Sequence, residues 1–234
     1  MELYTFVFYP QVFYVDRIGK IKMTKLLIIR HGYSVTNKAK IFTGQNDVDL
    51  APEGYGQAEA VCRYIAENYK VDAIYSSDLK RAVNTILPLA KKLGLEIHTE
   101  KGIRELDVGE WQGRPVEDVR LENLEKLKAY RYDPANHGCP GGENYTDMCK
   151  RALPVFERIA KENDGKTVAV ATHGGVIRIM TCIFRSLPLV EVKDIPHCPN
   201  ASLMVVSFDD GKFTIEKESF NSYLEDQVTE KGLN

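Results

Sequence analysis

The chain has 234 residues, 44% of them hydrophobic, and a formal net charge of -2 with both signs interspersed. That length can bury one substantial core, as a single larger domain or a domain plus an insertion. The balanced charge gives no basic surface for nucleic acid or for an anionic membrane. Five cysteines (Cys62, Cys139, Cys149, Cys182 and Cys198) form no CxxC pair and are odd in number, which argues against a disulfide framework and for a reducing cytoplasm. The neighbours His137 and Cys139, and His197 and Cys198, have no zinc-like spacing, so no metal site is expected.

The first residues, LYTFVFYPQVFYV, are rich in aromatic and β-branched side chains but carry Glu2 and are broken by Pro10. They lack the basic start and small-residue cleavage site of a signal peptide and are too short to span a bilayer. Residues 1–22 are therefore read as an extension, either an added edge strand or a translation artefact, with the fold beginning near Met23. Residues 23–220 form the expected domain and 221–234 a C-terminal tail.

From Met23 onward, short apolar runs alternate with longer amphipathic stretches, the pattern of βα units around a mostly parallel sheet. Strands are expected at 25–29, 73–76, 96–98, 168–171, 203–208 and 213–218. A helix starts at Pro52, a favoured first helical residue, with Ala58, Val61, Cys62, Ile65 and Ala66 at helical spacing. A second begins after Ser77, with Asp78 in its first turn, and runs toward Gly94 with a kink at Pro88. A charged helix over 116–132 is followed by DPANHGCPGGENY, too long for a plain connection. The region from about 110 to 150 is thus read as an insertion over the sheet edge. A helix interrupted by Pro154 leads to the Asp164-Gly165 turn, and Gly174-Gly175 open a last helix through Phe184.

Three strand ends carry unusual residues: Arg30-His31-Gly32, then Ser76-Ser77 leading to Arg81, and Thr172-His173-Gly174-Gly175. If these strands are parallel, one crevice outside their carboxyl ends gathers two histidines and two arginines. Singly, each has a plain reading: a hydrogen-bonded strand-end histidine, a salt-bridged Arg30, a helix-surface Arg81. Together they suit a phosphoryl group. Guanidinium forks match its oxygens and stay charged, and glycines at helix starts offer backbone N–H groups, with Gly174 the candidate here. Flanking arginines also depress an imidazole pKa and keep it nucleophilic. His98 and His137 stand apart from any second motif and are read as surface residues.

The segments RHGYSVTN, FTGQNDVDLAPEGYGQAE, IYSSDLKRA, IRELDVGEWQG and ATHGGVIR, in this order from about Met23 to beyond Phe208, resemble the histidine phosphatase superfamily, which is related to cofactor-dependent phosphoglycerate mutase. The resemblance implies a three-layer α/β/α fold with a mostly parallel central sheet and a helical and loop insertion over the active-site crevice. It implies His31 as the nucleophile that becomes phosphohistidine, with Arg30, Arg81 and His173 on the phosphoryl oxygens and Asn37 as a further donor. Glu105 falls at the general-acid position, to protonate the leaving alkoxide and later activate water. The plain alternative for Glu105 is an exposed carboxylate paired with Arg104. Thr43 and Gly44 match a segment that touches substrate in the mutase branch.

Some positions depart from the family pattern. Tyr33 stands where glutamate is usual, which adds an aromatic wall and removes a charge; with Tyr145 and the stretch around His137 and Pro140 it is expected to line the substrate's far side. Ala51 replaces a capping Ser or Thr, at about 1 kcal/mol of helix stability. RAVNTI replaces the usual small pair after the arginine, which shifts the roles of Asn84 and Thr85.

The acid segment has the phosphatase-type Gly-x-Trp-x-Gly, with Trp111 a packing residue, and the stretch after it is short and acidic instead of long and basic. Hydrolysis of a small phosphorylated metabolite is therefore favoured over phosphoglycerate mutase-type transfer. A metal-dependent hydrolase and a non-catalytic binder of phosphorylated ligands are the rival readings. No cofactor is expected, the partner is a small phosphorylated substrate, and assembly as a homodimer is left open.

Overall fold

The computed structural model describes residues 23–224, so the extension expected at 1–22 and all of the expected 221–234 tail after residue 224 lie outside the described residues. Six strands form one sheet in the order β3-β2-β4-β1-β5-β6. They are β1 (Thr24–Arg30), β2 (Ala73–Ser76), β3 (Ile97–Thr99), β4 (Thr167–Thr172), β5 (Leu203–Asp209) and β6 (Lys212–Phe220). The first four are parallel to one another, while β5 runs antiparallel to β1 and β6 antiparallel to β5.

Side chains alternate across this sheet and both faces are covered. Leu26, Ile28, Val168, Val170, Met204 and Val206 face one core, and Leu27, Ile29, Ala169, Ala171, Leu203 and Val205 face the other. A strand covered on both sides has no polar face to offer, which is why 26–29 is uninterruptedly apolar. The second core is closed by α2 (Pro52–Asn68) and α3 (Lys80–Leu93), and the first by α6 (Tyr145–Glu162) and α7 (Gly174–Phe184). This is the expected three-layer arrangement.

Several local expectations are corrected. Helix α3 begins at Lys80, so Asp78 lies outside it and pairs with Arg104 instead. The helix expected over 116–132 is two, α4 (Val116–Glu122) and α5 (Leu124–Tyr132), broken where Asn123 leaves helical geometry at φ -132°. Asn is a poor helix-interior residue because its side chain competes for backbone groups. Pro154 does not interrupt α6, and α3 likewise runs on through Pro88. Each forfeits one bond, to the carbonyls of Asn84 and Lys150, while the apolar faces of both helices stay buried.

The 110–150 segment is packed into the first core through Trp111, Val119, Leu127, Tyr145 and Met148, and its last six residues belong to α6. Trp111 sits against Phe42 and Tyr130, as its packing role required. The start of the C-terminal segment, Ser222–Leu224, is a 3-10 turn that buries Leu224 and stacks Tyr223 on Tyr64. Among the described residues no helix is long and apolar enough to cross a membrane.

The loop after β1 reaches the start of α2 through two glycines. A Cβ on Gly32 would lie 2.6 Å from the Gly54 carbonyl oxygen, and one on Gly54 would lie 2.1 Å from that of Tyr33. Both contacts are with backbone, which cannot swing aside. Gly54→Ala is therefore expected to destabilise the protein by about 1–3 kcal/mol, read as a lower denaturation midpoint; an unchanged midpoint would refute the close approach.

Candidate active site

Three hydrogen bonds bring the strand ends into one place. The His31 N–H donates to the Thr172 carbonyl at 2.9 Å, that of Ser77 to Ala171 at 2.9 Å, and that of Arg30 to Ser202 at 3.1 Å. His31 and His173 consequently meet edge to face, with ring centroids 5.2 Å apart. Both rings are buried, and Arg81 is 1% exposed.

The His31 ring is oriented by its own chain. Its Nδ1 lies 2.7 Å from the Gly32 carbonyl, and an oxygen there requires Nδ1 to carry the proton. In the neutral ring Nε2 then holds the lone pair. Burial, followed by the charges of Arg81 and Arg30, holds the imidazole well below the ordinary histidine range and outweighs the Gly32 carbonyl, which acts the other way. The His31 ring is thus held as a neutral imidazole.

His173 is held at the opposite nitrogen: Nε2 is 2.8 Å from Ser77 Oγ, while its buried Nδ1 has no partner. Burial and then Arg81 hold this ring below the ordinary range as well.

The two arginines are held at one end of their forks. Arg81 donates through Nη1 to the Asn46 carbonyl and through Nη2 to that of Gly44, both at 2.8 Å. Arg30 donates through Nη1 to the Cys198 carbonyl. The Nε of each is buried and unpartnered. Among the described residues neither arginine forms an ion pair, and burial pushes Arg81 down to about 10. Two partly desolvated cations with no carboxylate in ion-pair contact, together with three orphaned nitrogens, make a site that an anion would complete.

Glu105 is half-buried, and its Oε1 and Oε2 lie 3.1 and 3.2 Å from the Gly175 N–H at the start of α7. The alternative pairing with Arg104 is overturned, because Arg104 donates twice to Asp78, at 2.7 and 2.6 Å. Two of the glycine N–H groups beside the histidines are already used. The Gly32 N–H is taken by Thr85 Oγ1 and the Gly175 N–H by Glu105. A Cβ on Gly174 would press on the Arg30 guanidinium, 3.2 Å from Nε. Its bareness makes room for a cation.

Asn37 lies in a short helix, α1 (Val35–Ala39), where a reciprocal cap with Ser34 occupies its Oδ1 and backbone N–H. Its amide NH2 is the end left to donate. Thr43 Oγ1 is 2.6 Å from Thr36 Oγ1, and the Gly44 carbonyl is the one that grips Arg81. Tyr33 is half-buried, with its N–H donating to Gln57 Oε1. Tyr145 is 2% exposed and packed on Tyr130 and Arg178, so its ring is a core element and not a substrate wall. His137 is exposed beside Asp133. Of the shifted pair, Thr85 ties Gly32 to the Arg81 carbonyl, and Asn84 donates to Asp49.

Residues that sequence reasoning passed over now have roles. Ser77 orients His173. Asn200 Nδ2 donates to the His31 carbonyl at 3.0 Å. Arg178, 8% exposed, donates to the carbonyls of Val192, Lys193 and Ile195 and so secures the segment that presents Cys198 to Arg30. A lone arginine in the apolar helix GGVIRIMTCIF was a legible signal for such a buried clasp. Among the described residues no three His, Cys, Asp or Glu side chains gather where they could hold a metal ion.

The paired imidazoles make stability pH-dependent. Below about 6.5 the unfolded rings take up protons that the folded rings refuse, so acid favours the unfolded chain. Stability is expected to fall as pH drops from 6.5, by up to about 1.4 kcal/mol per pH unit for each ring. Denaturant melts between pH 7.5 and 5.5 should show a shallower slope in His31→Asn than in the parent chain. Equal slopes would mean that His31 is not buried in its neutral form.

A family model described as the histidine phosphatase superfamily (branch 1) matches residues 26–221. A metal-independent phosphoserine phosphatase of Arabidopsis thaliana is 32% identical over 205 residues, covering 87% of this chain and 84% of that protein. The phosphoglycerate mutase-like protein 4 of the same plant is 31% identical over 209 residues, covering 88% and 89%. Among solved structures, Bacillus stearothermophilus YhfR aligns with a TM-score of 0.82 at 25% identity, over 86% of this chain and 99% of that one.

Proposed function

The chain belongs to the histidine phosphatase superfamily, and on that footing we propose that it hydrolyses the phosphate monoester of a small metabolite through a phosphohistidine at His31. The observation that carries this reading is the trio of buried, unpartnered nitrogens, Arg30 Nε, Arg81 Nε and His173 Nδ1, around a neutral imidazole. A phosphate monoester supplies what they lack: a dianion with three outward oxygens.

In the first step the His31 Nε2 lone pair attacks phosphorus, the P–Nε2 bond forms, and the bond to the ester oxygen breaks. Glu105 gives its proton to that oxygen, which leaves as an alcohol. In the second step Glu105 takes a proton from water as the water oxygen attacks phosphorus, and the P–Nε2 bond breaks to return the imidazole. Arg30, Arg81 and His173 stay on the three equatorial oxygens throughout, aimed before the reaction starts and therefore without reorganisation. Asn37 supports them through its amide NH2. Charge stabilisation thus falls to fixed cations of the chain itself. Tyr33, beside the nucleophile in sequence, is the residue proposed to shape substrate preference.

His31→Ala is expected to abolish turnover of any phosphate monoester, and acid-labile phosphate should be trapped on the parent protein at that residue. Residual turnover with no trapped phosphate would exclude the covalent route. Glu105→Gln is expected to slow an alkyl phosphate by about 100-fold or more while an activated aryl phosphate, whose leaving group needs no proton, is slowed far less. Equal losses on both would remove Glu105 from the acid role. Because His31 is held below the ordinary range, the acid limb of kcat/KM should lie below pH 6.5 in the free enzyme; a limb at 6.5 would place the ring in solvent.

A further inference from the structure

The loop that carries Glu105 is held from behind by one arginine. Arg151, on α6, donates through Nη1 to the carbonyls of Gly102 and Arg104 at 2.9 and 2.8 Å, and through Nη2 to the Glu105 carbonyl at 2.8 Å. Its remaining bonds go to Glu143: Nε to Oε1 and Nη2 to Oε2, both 2.8 Å. All five guanidinium hydrogens are thereby used, a geometry that lysine cannot reproduce. Glu143 closes the other side. Its Oε2 accepts the Asp107 N–H at 3.0 Å, and its own N–H donates to the Asp107 carbonyl at 2.9 Å.

The surroundings are shaped to let this clasp close. A Cβ on Gly142 would lie 2.3 Å from the Asp107 carbonyl oxygen, and one on Gly102 would lie 2.6 Å from Val155 Cγ2. Thr172, immediately before His173, donates through Oγ1 to the Ile103 carbonyl at 2.8 Å. Each carbonyl from 102 to 105 therefore has a side-chain donor, an unusual density for a surface connection. The pair is also mostly shielded, with the Arg151 and Glu143 side chains 22% and 23% exposed. A loop needing only to join β3 to the next helix has no use for such restraint, whereas a proton donor that must meet one oxygen does.

We propose that Arg151 and Glu143 are positioning residues for proton transfer: they fix the backbone of 102–107 so that the Glu105 carboxyl, held at its far end by the Gly175 N–H, stands at the leaving oxygen. The inference rests on the acid role given to Glu105 above. It separates the cations that serve the phosphoryl group, Arg30 and Arg81, from a third whose work is done through the acid.

The test compares two substrates, 4-nitrophenyl phosphate and an alkyl phosphate such as glycerol phosphate, in the full-length protein. Arg151→Gln is expected to reduce kcat on the alkyl ester by about 10- to 100-fold and on the aryl ester by no more than about 3-fold. Arg151→Lys should fail to restore the alkyl rate. Glu143→Gln, which keeps size and lets the loop fold if Arg151→Gln does not, should show the same selectivity in milder form. In a Glu105→Gln background, Arg151→Gln should add no further selective loss, because the two act through one group. Equal losses on both esters, no loss on either, or a full additional selective loss in the double variant would overturn the proposal. If Glu105→Gln alone shows no selectivity, the acid reading fails and takes this inference with it. If Glu105→Gln is selective and Arg151→Gln is not, only the inference fails.

Discussion

The hydrogen bond from the His31 N–H to the Thr172 carbonyl is the constraint on which the site depends. It extends the parallel register of β1 and β4 one residue past the end of β1, and so places His31 beside the residue that precedes His173. Shifting that register by one residue would turn Leu27 and Ile29 to the opposite core and carry His31 away from His173. The apolar alternation that drives folding thus also aligns the chemistry.

The same crevice is electrostatically unfavourable when considered alone. Two guanidinium groups and two imidazoles share a desolvated space, and neither arginine has a carboxylate within ion-pair reach among the described residues. The protein holds them with neutral carbonyls, Gly44 and Asn46 for Arg81 and Cys198 for Arg30. Carbonyls fix the geometry of a cation without cancelling its charge, so its attraction stays available to an anion. A salt bridge in either place would have given a more stable and less useful site. Burial first, and then the same charges, keep both imidazoles neutral.

Glu105 belongs to a different mechanical unit. Its carboxyl group is held by the Gly175 N–H at the start of α7, and its backbone is clasped by α6 through Arg151. In the proposed phosphoryl clamp Arg30 and His173 stand at strand ends and Arg81 in the first turn of α3, while Glu105 sits on the seam between two helices. The two meet through the run Thr172-His173-Gly174-Gly175: Thr172 bonds the Glu105 loop, His173 lies beside His31, Gly174 makes room for the Arg30 guanidinium and Gly175 holds the Glu105 carboxylate.

The sequence by itself determined the βα alternation, the strand-end positions of Arg30, His31 and His173, and the place of Arg81 just after β2, because periodicity and abrupt charge at the end of an apolar run are local properties. It was a poorer guide to why the glycines are there. Gly32 answers to Gly54 and Gly174 to Arg30, contacts between residues far apart along the chain. It also misassigned Tyr145, since an aromatic at a helix start reads alike whether it faces a core or a ligand. Only the tertiary structure decided that Arg104 is taken by Asp78, and that Arg151 and Arg178 serve the site from behind. An arginine's role depends on which carbonyls surround it, and those are set by the packing of distant segments, not by neighbours in the chain.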